Sequence, residues 1–150
     1  MAAGVMLARV SDRSRLVDAV DAMKALCVGE VVWGKSDCLM VAADALAPVI
    51  GVDIAAAFRG QYESQQGCAD HLTSLGFASI AEAVGAEALQ LGWMQIDPCE
   101  AVPGDAGVVQ VHGVQGCAMM QRSGLWVARG PKGYLALPSS RVVCAFRIPL

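Results

Sequence analysis

Cys38 is the residue whose type and position offer the most chemistry. It follows a tight aromatic-glycine turn, Val32-Trp33-Gly34-Lys35-Ser36-Asp37, and opens the run Cys38-Leu39-Met40-Val41-Ala42-Ala43-Asp44-Ala45-Leu46-Ala47, which reaches Pro48. That run is almost entirely apolar with one acid, the composition of a buried central helix. A thiol in the first turn of such a helix meets unpaired N–H groups and the positive end of the helix dipole. Both favour the thiolate, the form that attacks a carbonyl carbon. Glu30 and Asp37 flank the turn and oppose the thiolate by charge repulsion. The same residues admit a structural reading, in which Cys38 packs as a small apolar side chain and Asp37 or Ser36 caps the helix.

A cysteine nucleophile needs a base, and the chain has two histidines, His71 and His112. His112 ends the first predicted strand and is the candidate base; His71 lies on a predicted helix three residues after Cys68 and is the weaker choice. The Cys68/His71 spacing has no matching second pair, and there is no C-x-x-C, so no metal site is predicted. Gly34-Lys35-Ser36 lacks the rest of a phosphate-binding loop, and no cofactor is expected. Arg59 and Tyr62 fall in a glycine-containing link, where a guanidinium and a phenol can tie loop carbonyls together or contact a partner. Trp33 should pack under the turn, with Trp93 and Trp126 sealing the seam between helices and sheet.

The elements that position these residues divide near Pro98. Residues 11–91 read as a helical half: a helix from Ser11 or Ser14 to a stop at Gly29, the central helix, a short helix over Asp53–Phe58, and helices over Ser64–Leu75 and Ser79–Leu91. Residues 104–148 read as a strand half, in which short apolar runs separated by Gly, Pro or Ser form an antiparallel meander opened by Pro103-Gly104-Asp105. Helices first and strands afterwards is the α+β order, and 150 residues fit one domain spanning 1–150. With 55% hydrophobic and 17% charged residues, intrinsic disorder is excluded. A net charge of −3 without any basic cluster argues against nucleic acid as a partner. Asp44 and Pro48 interrupt the most apolar stretch, which argues against membrane insertion, and the first residues do not read as a secretory signal. The six cysteines read mostly as small buried hydrophobes.

Trp33-Gly34-x-x-Asp37-Cys38-Leu39 at the head of an apolar helix resembles the nucleophile segment of the NlpC-type papain-like cysteine peptidases. The likeness is nearer still to a small branch encoded in tailed-phage and prophage tail gene clusters. That likeness includes Ala42-Ala43-Asp44-Ala45, Gly51-Val52-Asp53, Phe58-Arg59-Gly60-Gln61-Tyr62, Pro103-Gly104-Asp105 and Gly116. The resemblance implies a compact papain-like fold, with Cys38 at the start of the central helix facing the sheet near residues 108–112. It marks Trp33, Gly34, Asp37, Arg59 and Tyr62 as motif residues. It also places a catalytic histidine at the opening of the second strand, where this chain has Val114 or Gln115. His112 lies two or three residues early. On the next strand, where a polar residue would orient the imidazole, the chain offers only Arg129. The function implied is a structural component of a long-tailed phage or prophage tail tip or baseplate with degenerate catalytic machinery. Such a protein is made in the bacterial host cytoplasm and carried in the virion. Its partners would be other tail-tip proteins: hub, central fibre or distal tail proteins. The alternative is an active cysteine peptidase or amidase that cleaves peptidoglycan during genome entry.

Overall fold

A computed structural model describes residues 12–150. Helix α1 spans Arg13–Leu26 and buries Leu16, Ala19, Val20 and Met23, one stripe at helical spacing. Its cap is Asp12, whose carboxylate accepts from the Ser14 N–H at 2.9 Å. Ser14, predicted as a possible cap, is therefore the donor, and Ser11 lies outside the described residues. Helix α2 spans Met40–Ile50, with Met40, Val41, Ala42, Ala43, Ala45, Leu46 and Ile50 buried. It does not stop at Pro48. The proline lies in the last turn, where its missing N–H forfeits one bond, and the helix closes on the left-handed Gly51 (φ 77°), whose N–H bonds the Ala47 carbonyl.

No helix forms over 53–58. The chain makes a series of turns between Gly51 and Gly60, both at positive φ, and the Asp53 carboxylate takes the Ala55 N–H at 3.0 Å. Helices α3 (Gln65–Ser74) and α4 (Ile80–Gln90) start where predicted, because Ser64 and Ser79 accept the N–H groups of Gly67 and Glu82.

Six strands follow: β1 (Met94–Ile96), β2 (Ala106–Val111), β3 (Val114–Met120), β4 (Trp126–Arg129), β5 (Tyr134–Leu137) and β6 (Val142–Arg147). They form one sheet of order β1-β6-β2-β3-β4-β5, antiparallel throughout. The fold is thus α+β. Strands β2 to β5 are the predicted meander, but the last strand does not extend it. β6 returns to the open edge of β2, pairing Ala106 with Phe146 and Val108 with Cys144, and carries β1 on its far side. Asp105, fully buried at the start of β2, secures that return. Its carboxylate meets Arg147 of β6 at 2.9 Å and Arg13 of α1 at 3.2 Å.

The sheet is buried on both faces. Cys117, Met119, Val127 and Phe146 face the helices in the main core. Val109, Ala118, Met120, Trp126, Ala128 and Ala145 form a second cluster on the opposite face. Trp93 sits in the helix-side core as expected, but Trp126 does not seal that seam. Strand parity puts it on the far side, where its indole N–H donates to Ser139 Oγ at 3.1 Å. Among the described residues, no helix is long and apolar enough to cross a membrane, and no group of three or more His, Cys, Asp or Glu is placed to hold a metal ion.

Candidate functional site

The Trp33–Asp37 turn is closed on itself. The Val32 carbonyl accepts from the N–H groups of Lys35 and Ser36, and Ser36 Oγ accepts from the Val32 N–H. Gly34 is required here. It sits at φ 83°, and a Cβ on it would lie 2.6 Å from the Tyr62 carbonyl oxygen. Its own carbonyl takes the Gly60 N–H at 3.0 Å, so the turn and the Phe58–Tyr62 link are fixed to one another.

Asp37 organises the turn. It is fully buried, and its carboxylate accepts four hydrogen bonds. Oδ2 takes the Gly34 N–H (2.6 Å) and the Tyr62 hydroxyl (2.9 Å); Oδ1 takes the N–H groups of Leu39 (2.9 Å) and Met40 (3.3 Å). Bonds to Leu39 and Met40 are those of a helix cap, so Asp37 rather than Ser36 is the cap side chain. Tyr62 and Arg59 do not tie loop carbonyls, the first of the two roles expected of them; each binds carboxylates. Tyr62 serves Asp37, while Arg59 grips Asp53 through Nε and Nη2 (both 3.0 Å) and reaches Asp44 on α2 at 2.8 Å. Hydrogen bonding from Arg59 holds the Asp53 carboxyl below its ordinary pKa. Trp33, half-buried, packs at a tilt to Tyr62 with ring centroids 6.5 Å apart.

Cys38 lies between this cap and the regular helix that begins at Met40. Its hydrogen bonds to the sheet are on β3, whose residues 115–117 pair with 108–110, so it faces the sheet near the 108–112 strand as expected. Sγ donates to the Gln115 carbonyl at 3.5 Å, and the Cys38 carbonyl accepts the Cys117 N–H at 3.1 Å. A Cβ on Gly116 would lie 2.8 Å from Cys38 Cβ, so only glycine allows the strand this close. The result is a thiol whose pKa is pushed up to about 12, first by burial, then by the Asp37 carboxylate and by Cys68. A backbone hydrogen bond pulls the other way but is smaller than these three.

The two histidines do not activate it. His112 and Gly113 are the corner of the β2–β3 hairpin, at φ 50° and 77°, with Val111 paired to Val114. His112 is exposed on that corner. His71 Nε2 lies 2.7 Å from the Ala57 carbonyl, and its ring meets Phe58 edge-on. Among the described residues, no hydrogen bond joins Cys38 to an imidazole. Of the two residues where the resemblance places a histidine, Val114 is exposed and Gln115 turns its amide to α4, accepting the Ala81 N–H at 3.0 Å and donating to Gln110 at 3.1 Å.

Arg129 is the last residue of β4 and is buried. It is 7% exposed, and it donates from Nε to Ser36 O (3.1 Å) and from Nη2 to Val28 O (3.0 Å) and Gly29 O (2.9 Å). An arginine closing the apolar run Leu125-Trp126-Val127-Ala128 was the signal for a buried role. Two cavities border Cys38: one of about 260 Å³ toward α3 and α4, with Cys68, Leu72 and Ile80, and one of about 370 Å³ along the sheet, with Val111, His112 and Arg129. The arrangement can bind apolar groups on either side of a neutral thiol. Among the described residues, no histidine is bonded to that thiol as a base for acyl transfer would be.

Residues 8–148 match the family described as a domain of unknown function (DUF6950), and the chain belongs to that family. No curated protein and no solved structure matches it significantly.

Proposed function

For this member of the family, we propose a non-hydrolytic structural role in the tail tip or baseplate of a long-tailed phage or prophage, on a papain-like domain of NlpC type. The observation that carries the non-hydrolytic part is the state of Cys38. Its thiol donates to the Gln115 carbonyl, burial pushes its pKa up, and among the described residues neither histidine is bonded to it. A helix-start cysteine packed on an antiparallel sheet supports the papain-like reading. The tail-tip placement rests on the resemblance carried by residues 33–38 and 58–62. In this reading Asp37, Tyr62, Gly34 and Arg59 hold the turn and link together and do not assist a reaction. The partners are other tail-tip proteins, and the protein travels in the virion.

One observation favours the hydrolase reading. Cys38 and His112 border the same groove, so a shifted hairpin would bring an imidazole toward the thiol. Purified particles separate the two. The structural role predicts that the chain is found in the tail tip, that Cys38→Ala particles plate as wild type, and that particles lacking the chain have incomplete tips. Absence from particles refutes it, as does loss of both infectivity and peptidoglycan release in Cys38→Ala and in His112→Ala.

A further inference from the structure

Among the described residues the sheet has two free edges, β1 and β5. β1 is only three residues long, and Pro98 follows it closely. β5, Tyr134-Leu135-Ala136-Leu137, carries neither a charge nor a proline, the usual means by which an edge strand avoids pairing. The hydrogen bonds fix which of its residues face outward. The Gly130 N–H donates to the Gly133 carbonyl at 2.6 Å and closes the Pro131-Lys132 turn, so 130 and 133 are a bonded pair. In an antiparallel ladder bonded pairs recur at every second residue, here Ala128 with Leu135 and Trp126 with Leu137. The other side of β4 agrees. The Gln121 N–H bonds the Leu125 carbonyl at 2.9 Å, which gives Val127, and not Ala128, to β3. Tyr134 and Ala136 therefore turn their N–H and C=O groups away from the sheet. Both residues are exposed, and among the described residues none of these four groups has a backbone partner.

We propose that β5 is a self-pairing edge: a second copy of this chain lays its own β5 antiparallel to the first and joins two six-stranded sheets into one. An antiparallel edge is self-complementary about a two-fold axis. With Tyr134 opposite Ala136 of the second copy, and Ala136 opposite its Tyr134, every outward group of each strand is met by the other. Other registers waste them. Centring on Ala136 sets Tyr134 against Pro138, which has no N–H, and centring on Tyr134 sets Ala136 against Lys132 in the turn. In the 134/136 register Leu135 meets Leu135 at the axis as a non-hydrogen-bonded pair, the kind whose side chains lie closest. Leu135 and Leu137 line the apolar groove of about 370 Å³, so the second Leu135 extends that wall. The charges also permit it: Lys132 falls opposite Pro138, and no like charges face each other between residues 132 and 138. An extended segment of another protein could match the backbone, but nothing on this edge selects its side chains, whereas a second copy brings the matching spacing itself. The inference does not rest on the tail-tip reading.

The test is sedimentation velocity of the full chain from about 10 µM to about 1 mM, a range suited to an interface below the standard size. The weight-average mass should rise toward that of a dimer. Amide exchange read by NMR adds the location. The Leu135 and Leu137 N–H groups should be protected at every concentration, those of Tyr134 and Ala136 only as the dimer forms. Leu135→Lys and Leu135→Glu should each stay monomeric with circular dichroism unchanged, and their equimolar mixture should dimerise again, because position 135 meets itself. Ala136→Pro is the second arm. It removes an outward N–H that the native fold does not use, so the folded monomer should persist and the dimer be lost. A monomer throughout the range overturns the proposal and leaves the edge to some other partner. A dimer that survives Ala136→Pro also overturns it, because such a dimer forms elsewhere. A mixture of the two folded Leu135 variants that stays monomeric refutes the pairing of position 135 with itself.

Discussion

Replacing Asp37 with Asn tests whether the carboxylate holds the turn as described. Asn is as good a helix cap as Asp, so its oxygen can keep the Leu39 and Met40 N–H groups. The amide nitrogen then faces the Gly34 N–H and the Tyr62 hydroxyl, both of which donate to Oδ2 in the native chain. The hydroxyl can rotate to accept; the Gly34 N–H cannot. One buried donor left unmet costs about 1–3 kcal/mol, and the surviving bonds lose their charge assistance, so a total near 3 kcal/mol is expected. Tyr62→Phe leaves the carboxylate three of its four donors and should cost about 1.5–3 kcal/mol. Urea unfolding, read as a fall in midpoint at constant slope, measures both. Asp37→Asn should also lower the Cys38 pKa, since Asp37 is its second-largest perturbation, while burial keeps it above the ordinary thiol value. Stability within about 0.5 kcal/mol of wild type would refute the account of Asp37, because surface-like changes fall in that range.

Gly116→Ala should destabilise by about 1–3 kcal/mol through overpacking. Cys38→Ala should not rescue it, because the close approach is between the two Cβ positions. Stability should fall as pH rises above the ordinary thiol pKa, since Cys38, Cys117, Cys68, Cys27 and Cys144 are all raised by burial. The folded chain then binds more protons than the unfolded one. Each thiol still protonated in the folded state removes about 1.4 kcal/mol per pH unit, which pH-dependent urea midpoints will show. Arg59→Gln should cost about 1 kcal/mol or less, and less again in high salt, because the side chains of Arg59, Asp44 and Asp53 are all more than a third exposed.

Much of the scaffold is legible in the sequence because its causes are local. Ser64 and Ser79 announce α3 and α4 by capping, and the spacing of Leu16, Val20 and Met23 announces α1. What escaped depends on partners distant in the chain. β1 is three residues long, too short to show alternation, and exists because β6 offers it an edge. The return of β6 to β2 joins residues 106 and 146, which no meander pattern specifies. All four residues of β4 are buried, so hydropathy could not assign Trp126 to a face or reveal Arg129 as an interior donor. At the candidate site, Trp33, Gly34, Asp37 and Cys38 stand as one unit, as their spacing suggests. That Tyr62 answers to Asp37, and that Gly116 presses β3 against the thiol, required the fold.

The central claim is that Cys38 is a neutral, packed thiol. Site-resolved alkylation of the native chain, followed by mass spectrometry from neutral pH to about 10, tests it most directly. Cys99 is exposed and serves as the internal standard. Cys38 should label far more slowly than Cys99 and show no inflection over that range, consistent with a pKa pushed up to about 12. An inflection near or below neutral pH, with Cys38 labelling faster than Cys99, would contradict the account and identify an activated nucleophile.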